Sequence, residues 1–312
     1  MKTIAAATLF ASVALAQTVS LIPSGIGSSC SSFLNDFNKD TTLTTCTSSL
    51  ITASGAFAPA TNATATTPSA SDAKLALTAV CAASSACSDT SVRSKLADFY
   101  QACTDELTST QNKDVIRTYD VLYALIPLKN AICSKDDSGN YCVSTIASTT
   151  SQSASQLANI AQSLSVPVSS TSSNARRADA AQVVASVAPN ATTFANNNLL
   201  FLLLQPSLAK DALCQTCTRN VITSYISFES ATPYAPGLAA SVLLSGQSAL
   251  YQAVQSTCGS TFLSGAVAAA AGLSGGVVGQ ASSSGASSTI LANSGVASVL
   301  VATVAMVLGA TL

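Results

Sequence analysis

Cys214-Gln215-Thr216-Cys217 sets two sulfurs at the spacing used by dithiol redox centres and by metal knuckles. Redox chemistry asks for such a pair after a strand, at the start of a helix whose positive end favours a thiolate. Here the pair lies in a helical-looking run from Leu208 to Phe228, with no βαβ pattern around it. A metal knuckle needs a second pair of this kind or histidines, and the 312-residue chain has neither. The spacing therefore predicts structural disulfides to two different neighbours and no metal site.

The lack of histidine reaches further. It removes Ser-His-Asp and Cys-His nucleophilic sites, His-ligated zinc and imidazole as a pH switch. A carboxylate pair could still run glycoside hydrolysis, but Glu106 and Glu229 are the only glutamates, and Asp136-Asp137 beside Ser138-Gly139 reads as a solvated turn. Tryptophan, the usual sugar-stacking platform, is also missing, although tyrosine could substitute. No catalytic residue and no cofactor are assigned, and the chain is read as a non-enzyme. With 9% charged residues and a net charge of −1 there is no basic stripe for phosphates, so nucleic acid is not an expected partner.

All ten cysteines, Cys30, Cys46, Cys81, Cys87, Cys103, Cys133, Cys142, Cys214, Cys217 and Cys258, are expected in disulfides, as suits an even count in a secreted chain. If the 16 positions from Cys87 to Cys103 form one helix, the two lie roughly 24 Å apart. A bridge needs Cα atoms within about 7 Å, so each must then pair elsewhere. Cys30 and Cys46 repeat the offset, and Cys46-Thr-Ser-Ser-Leu resembles Cys103-Thr-Asp-Glu-Leu, a faint trace of helical duplication.

The elements that must position these sulfurs are helices. After a Ser88/Asp89 cap, Val92, Leu96, Phe99, Tyr100, Cys103 and Leu107 recur at helical spacing. Asn112 is a second cap, followed by Val115, Ile116, Tyr119, Leu122, Tyr123 and Ile126 until Pro127 kinks or ends the helix. Segments 72–83 and 238–258 read the same way. Leu199 to Leu204, too short to span a membrane, reads as a buried helix reaching Pro206. Strand alternation is absent, so the expected fold is all-α: a disulfide-stapled helical bundle with a Ser/Thr-rich linker and a C-terminal low-complexity stalk.

The ends and linkers carry the location. Lys2, the apolar run from Ile4 to Leu15 and Ala14-Leu15-Ala16 read as a secretory signal, residues 1–16, cleaved after Ala16. Residues 17–147 form a Cys-rich helical region, 148–180 a Ser/Thr-rich linker, and 181–262 a second helical region disulfide-linked to the first. The linker contains Arg176-Arg177, a dibasic pair that is either a processing site or two solvated arginines. Seven cysteines precede it and three follow, so an odd number of bridges must cross. Residues 263–284 are a Ser/Gly/Ala stalk, and 285–312, ending in the uncharged apolar stretch from Val296, read as a removable lipid-anchor signal with attachment at Ser284. Asn62-Ala63-Thr64 and Asn190-Ala191-Thr192 are N-glycosylation sequons at Asn62 and Asn190.

The signal, the Cys-rich helical ectodomain with Cys87, Cys103, Cys133, Cys142 and Cys214-x-x-Cys217, the stalk and the tail together resemble a class of fungal secreted, GPI-anchored cell-surface proteins. The resemblance implies residence at the plasma membrane or cell wall through a GPI lipid, with wall glycans or surface proteins as partners. It implies no activity and no site residues. A structural or interaction role is expected. The alternative is a helical module for an apolar ligand such as lipid or sterol, lined by Leu199–Leu204 and Val242-Leu243-Leu244.

Overall fold

A computed structural model describes residues 22–41, 43, 47, 50, 52, 70–82, 87–149, 152–167 and 187–264. The fold is mostly helical and disulfide-stapled. Its centre is α5, after α1 (Ser28–Phe37), α2 (Ala70–Val80), α3 (Asp89–Ala102) and the single turn α4 (Thr104–Leu107). Helix α5 (Lys113–Cys133) buries residues on every side in its second half, from Tyr119 to Leu128 without a break. Helices α1 and α2 hold the described N-terminal core residues Cys30, Leu34, Leu77 and Val80 against it and α3.

Both expected caps are present. The Ser88 side chain accepts from the Ser91 amide at the start of α3, and Asn112 accepts from Asp114 and Val115 amides at the start of α5. One expectation for these helices is corrected, and one of the two alternatives at Pro127 is ruled out. The stripe from Val92 to Leu107 is not one helix: Cys103 leaves helical geometry at φ −120° and ψ 29°, and α4 restarts after it. Cys103 bonds to Cys30 there, so the break points its sulfur at α1 while Leu107 stays buried. Nor does Pro127 end α5, which runs on to Cys133. A proline costs a helix about 3 kcal/mol in isolation. Burial of Leu125, Ile126, Leu128, Ala131 and Ile132 around it offsets that cost.

Helices α6 (Cys142–Thr149) and α7 (Ala154–Gln162) follow, the latter opened by a Ser153/Gln156 capping box. So the Ser/Thr-rich stretch after residue 148 is partly helical, with Leu157, Ile160 and Leu164 buried as their spacing allows. Where no strand was expected, β1 (Ser165–Pro167) and β2 (Val187–Pro189) pair antiparallel, Ser165 opposite Pro189. Helix α8 (Ala191–Asn197) leads into Leu199–Leu204, which is buried but not an α-helix. Leu199–Phe201 make one 3-10 turn, and Leu202 and Leu203 adopt positive φ of 54° and 67°. Asn198, itself left-handed at φ 47°, donates from its side-chain amide to the Leu204 carbonyl at 2.8 Å and so closes this apolar loop on itself.

The C-terminal part comprises α9 (Lys210–Leu213), α10 (Thr216–Ala231) and α11 (Gln247–Cys258). The expected continuous helix from Leu208 to Phe228 breaks at Cys214-Gln215, where Cys214 turns to bond Cys258. The expected helix from Leu238 begins only at Gln247, because amides in 242–244 bond to side chains instead. Helix α10 packs along α5 and also meets α6. A cluster of rings joins the two halves: Phe33 and Phe99, Phe99 and Tyr119, Tyr119 and Tyr234, Tyr123 and Phe228 all lie with centroids 5.0–5.5 Å apart.

Candidate functional site

A fully buried polar arrangement is built on Asp120, which is 0% exposed in the middle of α5. Helix α5 puts Asp120 one turn from Ile116 and Tyr123, on the apolar face. The segment between α10 and α11 closes over it. Ser241 Oγ donates to Asp120 Oδ2 at 2.8 Å, and the amides of Val242 and Leu243 donate to the same oxygen at 2.9 Å each. Tyr234 OH donates to Oδ1. The Ser241 hydroxyl in turn accepts from the Leu244 amide at 2.7 Å. Tyr123 OH donates to the Thr232 carbonyl at 2.7 Å, fastening the start of the same segment.

Burial pushes the Asp120 carboxyl up to about 6, against the downward pull of the hydrogen bonds from Tyr234, Ser241, Leu243 and Val242. The carboxylate is therefore ionised at neutral pH, as four donors and no acceptor around it require. Burial also raises the Tyr234 hydroxyl, with the neighbouring Asp120 charge adding to the effect, so it stays a donor. Tyr119 rises to about 12, chiefly through burial. A carboxylate, a serine and a tyrosine would be suggestive in a cleft. Here Tyr234 and Ser241 are 6% and 4% exposed, and all the donors point inward. The arrangement clamps an irregular segment onto α5 and gives substrate no approach.

The residues singled out from the sequence are scattered. Glu106 is 7% exposed and accepts from the Gly27 amide at 2.6 Å, one residue ahead of α1. Its oxygen lies within 4.8 Å of the sulfurs of Cys30 and Cys103, a set with metal-ligand chemistry on paper, but those sulfurs are bonded to each other and offer no thiolate. Glu229 accepts from the Gln247 side chain at 2.8 Å. Asp136 and Asp137 are a turn, not a pair. Burial alone would raise Asp136, but hydrogen bonds from Asn140, Thr145 and Ser138 outweigh it and hold its carboxyl below the usual range. Asp137 accepts from Thr216 Oγ1 at 2.7 Å. The structure brings none of these carboxylates together.

The bridges are Cys30–Cys103, Cys81–Cys133, Cys142–Cys217 and Cys214–Cys258. Cys87 is disulfide-bonded as well, and Cys46 lies outside the described residues. The CxxC pair thus goes to two different neighbours, and Cys142–Cys217 is a bridge that crosses the dibasic segment. Asn190 is the N-cap of α8, its side-chain Oδ1 accepting from the Thr193 amide at 3.4 Å. Ala16, Asn62, Arg176, Arg177 and Ser284 lie outside the described residues. Leu199–Leu204 and Leu243-Leu244 sit in the main core, at most 1% exposed, and Val242 is partly buried against it.

Sequence reasoning passed over Asp120, although the signal was there. It is a lone acid at a position of α5 that the helical period places among Ile116, Tyr119 and Tyr123, and Arg117, one turn before it, pairs with Asp114 instead. Residues 19–179 match the model of a protein family described as a domain of unknown function, DUF7729. No curated protein and no solved structure matches the chain.

Proposed function

The chain belongs to the DUF7729 family, and from that premise we propose that it is a secreted, GPI-anchored surface glycoprotein whose stapled helical head serves a structural or interaction role at a fungal cell wall, without catalysis. The observation that carries this reading is the disulfide framework. Bridges closing 44 to 75 residues tie α1 to the break between α3 and α4, the end of α2 to α5, α6 to α10, and the start of α10 to α11. Such bonds form and persist in oxidising compartments, which supports a protein displayed outside the cell. The buried polar groups add support, since Asp120, Tyr234, Ser241 and Tyr123 are committed to internal fastening.

On this reading the head stands on the Ser/Gly/Ala stalk, joined to the membrane by a GPI lipid at Ser284, and meets wall glycans or other surface proteins. Treatment of intact cells with a phosphoinositide-specific phospholipase tests the anchor. Release of a species lacking the tail after about Ser284 is the expected result. Resistance, together with recovery of a peptide ending at Leu312, overturns it.

A further inference from the structure

The bridges at Cys214 and Cys217 are adjoining bonds of unequal access. Cys142 and Cys217 are 0% and 1% exposed, whereas Cys214 and Cys258 are partly exposed at the edge of the core. Cys81 and Cys133 are also partly exposed, but neither has another cysteine three positions away. We infer that Cys214–Cys258 is the entry to a thiol–disulfide exchange site, where an external thiol opens the bridge and the freed Cys214 captures Cys217 and releases Cys142. The inference goes beyond the surface role and does not depend on the anchor.

The helix ends set the direction. Cys258 is the last residue of the 12-residue α11, at its negative end. Cys214 lies just ahead of the 16-residue α10, whose N-cap residue Gln215 makes no side-chain cap bond and donates instead to the Asp211 carbonyl at 2.7 Å. The first-turn amides of α10 therefore favour a thiolate on Cys214 over one on Cys258. An external low-molecular-weight thiolate attacks Cys258 Sγ; the new S–S bond forms to Cys258, the Cys214–Cys258 bond breaks, and its electron pair leaves on Cys214. Cys214 then attacks Cys217 Sγ. The Cys214–Cys217 bond forms, Cys142–Cys217 breaks, and the electron pair leaves on Cys142, the first residue of α6 and again at a helix's positive end. One thiol is consumed and one released, with no net oxidation. A second external thiol resolves the mixed disulfide at Cys258, yielding the external disulfide and a Cys258 thiol.

Partial exchange of the folded ectodomain with reduced glutathione, acid quenching, alkylation and non-reducing peptide mapping reads the order. Trypsin should cut after Lys210 and Arg219, leaving Cys214 and Cys217 in one peptide. The first modified species is expected to carry glutathione on Cys258, an alkylated Cys142 and an internal disulfide in that peptide. Glutathione on Cys258 with alkylated Cys214 and an intact Cys142–Cys217 bond overturns the relay. First modification at Cys81 or Cys133, or none before global unfolding, overturns the entry site. A Cys258→Ser variant provides a second reading without added thiol: the internal Cys214–Cys217 disulfide and a free Cys142 are expected, and a free Cys214 with intact Cys142–Cys217 refutes the transfer.

Discussion

Asp120 shows how one buried charge can organise a segment more than 110 positions away. Its carboxyl titrates near 6 in the folded protein against 3.8 for the ordinary group. Between about pH 4 and pH 6 the folded state therefore binds the extra proton, and the contribution of Asp120 to stability falls as pH rises through that window, by about 3 kcal/mol in total. Denaturant titrations at several pH values should show this slope in the wild type and not in Asp120→Asn. The substitution itself should lower stability at pH 7 by about 2–4 kcal/mol, since an amide cannot accept from donors on both sides. Equal slopes in the two proteins would refute the assignment. Gly246 makes a second residue-scale case: a Cβ there would fall 1.9 Å from Asn198 Oδ1. Asn198 is buried and occupied with the Leu204 carbonyl, so it cannot swing away without releasing the leucine loop. Gly246→Ala should cost about 1–3 kcal/mol in thermal or chemical unfolding, whereas Gly139→Ala, which has open space but positive φ, should cost only the backbone strain of about 1 kcal/mol.

At the scale of elements, what was legible in the sequence is what depends on near neighbours. Ser88 and Asn112 announce α3 and α5 because a cap bonds amides two or three residues on. The stripe from Val115 to Ile126 announces the buried face of α5 by its period. The segments misread as helices are those whose backbone is claimed from afar. Amides at 242 and 243 bond Asp120, Cys103 turns toward Cys30, and Cys214 turns toward Cys258. No local pattern encodes such partners. The continuation of α5 through Pro127 has the same origin, because core packing rather than local propensity decides it. Asn190 separates two roles that the sequon alone merges. Its side-chain Oδ1 caps α8, which leaves the amide nitrogen, the atom that a glycan would occupy, outside that bond. Both Asn190→Ala and Thr192→Ala should abolish the mobility shift on enzymatic deglycosylation at this position. Only Asn190→Ala should also lose cap stability, about 1 kcal/mol. A retained shift in Thr192→Ala would exclude N-linked sugar at Asn190.

For the whole molecule, the family match and the folded unit have different limits. The match ends at residue 179, yet the main core runs from Cys30 to Leu263 without division. The helix at its centre, α5, lies within the matched region, while much of what covers it does not. Helix α10 packs along α5, Phe228 and Tyr234 set their rings edge-on against Tyr123, and every donor to Asp120 comes from residues 234–243. Cys142 finds its partner at Cys217. A chain ending at residue 179 would thus expose the aromatic face of α5, strand a carboxylate among apolar side chains and leave an unpaired thiol. Losing all partners of one buried charge is worth about 3–5 kcal/mol, and the uncovered apolar area adds to it, against a total stability of about 5–15 kcal/mol for a domain. Residues 17–179 produced alone should therefore lack a cooperative unfolding transition and should form mixed disulfides through Cys142, while residues 17–264 should unfold in one step. Calorimetry and non-reducing gels on the two chains decide it. A cooperative transition in the shorter chain would mean that the matched region folds by itself and that residues 187–264 are an attachment to it.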